Sequence, residues 1–104
     1  MLLNSIVLAA ALQASPIQPL LDNALQVSSD AGSYVTYFHE DGTYTTNAGI
    51  SGTWHVEDGE LCVVRATGEA GCAPIESGLA LGSSWTAPNA ATGAMVTYTI
   101  IARD

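Results

Sequence analysis

Lysine is absent from this 104-residue chain, and arginine occurs only as Arg65 and Arg103. Ten acidic residues oppose those two cations, for a formal net charge of −8. So negative a body repels phosphate and anionic lipid, which makes nucleic acid and membrane surfaces poor partners; no nucleic acid and no membrane insertion are expected. The charge suits solubility, and it would suit a basic protein partner. Without lysine there is no Schiff-base former and no amine general base. The chain has no P-loop, no dinucleotide fingerprint and no N-glycosylation sequon. "GISG" (Gly49 to Gly52) and "LGSSW" (Leu81 to Trp85) hold serines near glycine. Neither is the G-x-S-x-G of a strand-to-helix nucleophile elbow. No apolar run approaches the roughly 20 residues that cross a bilayer.

The first stretch, "MLLNSIVLAAALQASP", is uncharged, apolar from Ile6 to Leu12, and followed by small residues. This is the shape of a secretory signal peptide over residues 1–14, although it lacks a Lys or Arg ahead of the apolar run. Cleavage could follow Ala11 or Ala14. The alternative is a buried N-terminal helix of the domain. No cysteine follows to carry a lipid. What remains is one domain of about 90 residues.

Cysteine is scarce too. Cys62 and Cys72 flank "VVRATGEAG". In an exported chain an even count reads as a disulfide, and the spacing does not fit a C-x-x-C metal pair. A turn near Thr67 and Gly68 would set the two cysteines opposite each other on adjacent antiparallel strands. Closing so short a loop stabilises by about 2–3 kcal/mol, a large share of a small domain's stability.

Residues 15–32, with Pro16 and Pro19, are expected as a leader, extended or with one short helical turn. "DNALQVSS" (Asp22 to Ser29) could be that turn or a first short strand. From residue 33 to 104 the pattern is β. Strands are expected near Tyr34–His39, Thr43–Thr46, Gly52–Val56, Leu61–Ala66, Cys72–Ile75, Ser84–Ala87 and Met95–Ala102, punctuated by glycine and proline. The strongest local signals are Asp41-Gly42 and Asp58-Gly59, which favour type I′ hairpin turns. A two-residue turn at Asp58-Gly59 sets Val56 opposite Leu61 and Trp54 opposite Val63 as a core face, with His55 and Cys62 on the other. The same count at Asp41-Gly42 sets His39 opposite Tyr44 and Phe38 opposite Thr45. About seven short strands with glycine-rich turns imply an all-β fold, a small antiparallel barrel or barrel-like sandwich.

Two clusters could carry chemistry. His39 and His55 with Asp58 are a workable zinc or iron set if the imidazoles converge; otherwise these residues belong to hairpin tips that face water. Tyr37, Phe38, Trp54, Trp85 and Tyr98 could line a small apolar pocket, or simply fill the core. The acidic pairs Glu40/Asp41 and Glu57/Asp58 are neighbours in turns, unlike the separated carboxylates of acid–base catalysis.

Phe38, Asp41, Gly42, Thr43 and Tyr44, then Gly52, Thr53 and Trp54, then Leu61, Cys62 and Cys72 resemble a pattern of small exported bacterial proteins of uncharacterised function. "LGSSW" fits the same pattern. The resemblance covers about half of the chain after residue 14. It implies a reduced lipocalin-like β-barrel and export, and it implies no catalytic residue or cofactor.

The sequence thus points to a periplasmic or secreted binding domain without catalysis, its ligand a small apolar molecule or a protein. The alternatives are an inhibitor of a basic envelope hydrolase, such as lysozyme or a protease, and a metal-dependent enzyme using the two histidines. No cofactor is called for.

Overall fold

A computed structural model describes residues 17–76 and 78–103. The expected signal segment lies outside the described residues. Among the described residues the fold is all-β apart from one short helix. Helix α1 (Gln18–Asp22) is followed by β1 (Ala24–Ser29), β2 (Gly32–Phe38), β3 (Thr43–Thr46), β4 (Ser51–Glu57), β5 (Glu60–Arg65), β6 (Ala70–Pro74), β7 (Ser84–Pro88) and β8 (Met95–Ile101). The strands form one antiparallel sheet in the order β6-β5-β4-β3-β2-β1-β8-β7, curled into a nearly closed barrel.

Local chemistry explains where the hairpins turn. At Asp58-Gly59 both residues have positive φ (52° and 79°), as a type I′ turn requires. The register follows: Val56 faces Leu61, His55 faces Cys62 and Trp54 faces Val63. Cys62 lies directly opposite Cys72 on β6, and the two form a disulfide.

The Asp41-Gly42 turn differs from expectation. Only Gly42 has positive φ there. His39 N–H donates to the Thr43 carbonyl, and Gly42 N–H donates to the His39 carbonyl. The loop is therefore three residues, Glu40-Asp41-Gly42, with glycine in the left-handed position. Asp41 Oδ1 accepts from both the backbone N–H and the hydroxyl of Thr43, which fixes this geometry. Phe38 consequently pairs with Tyr44, and Tyr37 with Thr45. Both buried rings, Phe38 and Tyr44, thus share the inner face.

In the N-terminal segment both readings offered by the sequence occur, a short helical turn and then a first strand. Within 15–32, Ala24–Ser29 is a strand in the middle of the sheet, paired to β2 on one side and β8 on the other. "ALQVSS" was weakly legible because only Leu25 and Val27 mark the alternation. Its turn, Asp30-Ala31, lacks the Asn-Gly or Asp-Gly signature. Pro19 does not prevent α1, because proline fits a first helical turn, where its missing N–H is not needed.

The inner face carries Leu25, Val27, Phe38, Tyr44, Leu61, Val63, Val96, Tyr98 and Ile100, packed with Leu20 into one core. Val56, expected in that core, is 38 % exposed near the β4–β5 hairpin tip, although its partner Leu61 is buried. The barrel has two unlike ends. The β2–β3 and β4–β5 loops lie at the end that α1 plugs with Leu20, which is 2 % exposed. The β1–β2, β3–β4, β5–β6 and β7–β8 loops ring the opposite end, the mouth.

Candidate functional site

The sheet does not close between β6 and β7, which share no ladder. The loop after β7 reaches across this seam. Gly71 of β6 lies so close to the Ala90 carbonyl that a Cβ there would collide with it. Pro74 and Pro88 end the two edge strands, where their missing N–H groups discourage further pairing.

Beneath the seam lies an interior cavity of about 80 Å³. Its walls include Leu25, Val27, Phe38, Val63, Trp85 and Tyr98, and Leu20 forms part of its lining at the plugged end. Ala73 and Ala87 line it from the two strands that flank the seam. Small residues there leave the space unfilled. Trp85 and Tyr98 pair across β7 and β8 with ring centroids 5.4 Å apart. The Tyr98 hydroxyl donates to the Pro88 carbonyl, and burial pushes its pKa up to about 12.

Of the five aromatic residues singled out from sequence, Phe38, Trp85 and Tyr98 line the cavity. Trp54 faces inward, but its indole N–H donates to the His39 carbonyl. That bond draws the ring against the edge of Phe38, 6.3 Å between centroids, and away from the cavity wall. Tyr37 lies on the outer face, where the Arg103 guanidinium stacks on its ring at 5.5 Å. Arg103 also donates to the carbonyls of Leu21 and Asn23, tying the C-terminal strand to the helix that plugs the barrel.

The two histidines do not share a ligand cluster among the described residues. His39 contacts the Thr45 hydroxyl through Nε2 and Arg103 through Nδ1. A guanidinium at that ring disfavours a cation. His55 sits with Glu57 and Cys62, whose donor atoms lie within 4.8 Å of one another, but the Cys62 sulfur is bonded to Cys72. Asp58 is not in this group, and supplies the left-handed residue of its turn. Asp41, Gly42 and Gly59 likewise act as turn residues.

One residue noted in the sequence only for its charge belongs to the site. Arg65 is paired with Gly52 and lies on the same face as Leu61 and Val63. It lines both the interior cavity and an outer pocket at the mouth, formed with Gly49, Ile50, Ser51, Ala66 and Thr67. Its side chain is 15 % exposed. The signal was available, because extending the Asp58-Gly59 register two pairs beyond Trp54–Val63 turns Arg65 inward.

No protein-family model matches the chain, and neither a curated protein nor a solved structure is significantly similar to it. Among the described residues, no helix is long and apolar enough to cross a membrane.

Proposed function

We propose that this chain is an exported, lipocalin-like binding domain, without catalysis, that holds a small apolar group inside its barrel. The observation that carries this reading is the aromatic-walled cavity under the unpaired β6–β7 seam. Natural cores are packed to the density of organic crystals, so a void in so small a domain costs stability. Binding gives that cost a purpose. The cavity has about half the volume of the engineered one of ~150 Å³ that accepts benzene. The buried part of a ligand is therefore compact, a few carbons of alkyl chain or part of a ring. A seam without hydrogen bonds can widen to admit more. The disulfide supports export, because such bonds persist outside the reducing cytoplasm.

The test is native mass spectrometry of the protein purified from its own source, repeated after denaturation and after incubation with short alkyl and aromatic compounds. A small-molecule adduct that disappears on denaturation is the expected result. A protein that neither carries nor takes up any of them contradicts the proposal.

A second reading, inhibition of a basic envelope hydrolase, draws on the distribution of charge. Asp22, Glu40, Asp41, Glu57, Asp58 and Glu60 all lie toward the plugged end of the barrel. Glu57 and Asp58 protrude into solvent at the β4–β5 tip. Salt-sensitive inhibition of a basic lysozyme, abolished by Glu57→Gln with Asp58→Asn, would favour this reading over the first.

A further inference from the structure

We infer that the ligand is an amphiphile with a single negatively charged head group, its apolar part in the barrel and its head at Arg65. This rests on the proposed binding function and adds the ligand's charge and its direction of entry.

Of the two cationic side chains in the sequence, one, Arg65, lines a cavity whose walls are otherwise uncharged and mostly apolar. Burying a guanidinium is unfavourable unless it is paired. For its five N–H donors Arg65 has a hydrogen-bond contact with the Tyr44 phenol and one long ion pair. Its ion pair with Glu69 Oε2 is 3.9 Å long, and the other oxygen of that carboxylate accepts from the Thr67 hydroxyl. Glu69 is also half-exposed, so the pair is weakened by solvent.

The geometry around Arg65 suits a carboxylate. The Tyr44 phenol stands beside it; burial raises that group's pKa, while the arginine pulls it the other way. Tyr44 thus stays protonated at neutral pH and can donate a second hydrogen bond. A guanidinium fork with a neighbouring hydroxyl matches the two oxygens of a carboxylate. The space also fits. Arg65 lies where the interior cavity meets the mouth pocket, and Ile50 lines both volumes. A head group can rest in the mouth pocket while its tail enters the mostly apolar interior.

Long-range charge favours the same orientation. The plugged end carries the acidic residues named above, whereas Asp30 and Glu69 are the acidic residues at the mouth loops among the described residues. An anion is therefore repelled from the plugged end and meets Arg65 at the other.

The test is a calorimetric titration of hexanoate, hexanol and hexylamine into the full chain and into Arg65→Gln and Arg65→Lys. The three probes share one tail and differ in charge. Hexanoate is expected to bind about tenfold tighter than hexanol, as a charge-assisted hydrogen bond allows. Hexylamine is expected to bind weakest. Arg65→Gln should bring the ratio of hexanoate to hexanol affinity close to one, and Arg65→Lys should restore part of the preference. Equal affinity for hexanoate and hexanol in the native chain overturns the charge assignment and leaves the cavity reading standing. If none of the three binds, the binding function itself falls, and this inference with it. Because the native-chain comparison needs no variant, a failure of Arg65→Gln to fold does not remove the test.

Discussion

Filling the cavity should stabilise the protein and abolish ligand binding at once. Ala87 lines the void from β7, opposite Val96 on β8. Replacing it with leucine adds three carbons to a space of about 80 Å³. Cavity formation costs about 24 cal/mol per Å³, so complete filling would recover about 2 kcal/mol. Imperfect fit will reduce this, leaving an expected gain of about 1 kcal/mol for Ala87→Leu and less for Ala87→Val. For a domain of this size, 1 kcal/mol corresponds to about 4–8 °C in Tm. The assay is thermal and urea unfolding of both variants beside the native chain, with calorimetric titration of an alkyl ligand. The expected pattern is a rising Tm in the order Ala, Val, Leu, with ligand affinity falling in the same order. A fall in Tm for both variants, at an unchanged urea m-value, would show that the interior is already filled and would refute the reasoning. Such opposition between stability and activity is the usual mark of a functional void.

Other parts of the structure respond to separate tests. Removing the disulfide with a Cys62→Ala, Cys72→Ala pair should cost about 2–3 kcal/mol in the loop-entropy account, seen as a drop of roughly 10–20 °C in Tm. Reduction with dithiothreitol should lower the Tm of the native chain similarly, and an unchanged Tm would contradict the cross-link's role. Gly52→Ala should destabilise by about 1–3 kcal/mol, because a Cβ there would meet the Val64 carbonyl oxygen and come within 2.8 Å of the Tyr44 ring. A variant as stable as the native chain would show that β4 and β5 can separate freely. The raised pKa of Tyr98 gives an alkaline limit. The unfolded phenol ionises near its ordinary 10 and the folded one near 12, so its contribution is fully present below pH 10 and is lost as pH rises towards 12. Allowing for partial screening, the loss is on the order of 1–2 kcal/mol, and Tyr98→Phe should remove that component from the pH profile of stability.

Much of this architecture is legible in the sequence because turn chemistry fixes register. Asp58-Gly59 alone sets the pairing from Val56 through Trp54, and the cysteines then face each other across β5 and β6. The same dipeptide at Asp41-Gly42 misleads, since Thr43 captures the Asp41 carboxylate and turns a two-residue loop into three. That one-residue difference moves Tyr37 to the outside and puts Phe38 beside Tyr44. β1 is legible only as one of two alternatives, because two apolar residues make a faint alternation. Its place in the sheet depends on β8, which lies far away in sequence. The aromatic count suggests a pocket but cannot divide wall from packing. Trp54 is diverted by a hydrogen bond to a backbone carbonyl, a contact no spacing rule encodes. Arg65 is the reverse case. Its inward orientation follows from a register already in hand, yet a lone arginine in a strand attracts no attention until the cavity beside it is seen.

The central claim is that the barrel interior, rather than the outer surface, is the binding site. Heteronuclear NMR of the native chain, titrated with hexanoate, tests it most directly. Saturable shifts concentrated at Leu25, Val27, Trp85 and Tyr98, with the Arg65 guanidinium resonances moving in step, are the result expected. Shifts confined to the exposed apolar side chains Val56, Val64, Leu81 and Met95, with the interior resonances unmoved, would contradict it.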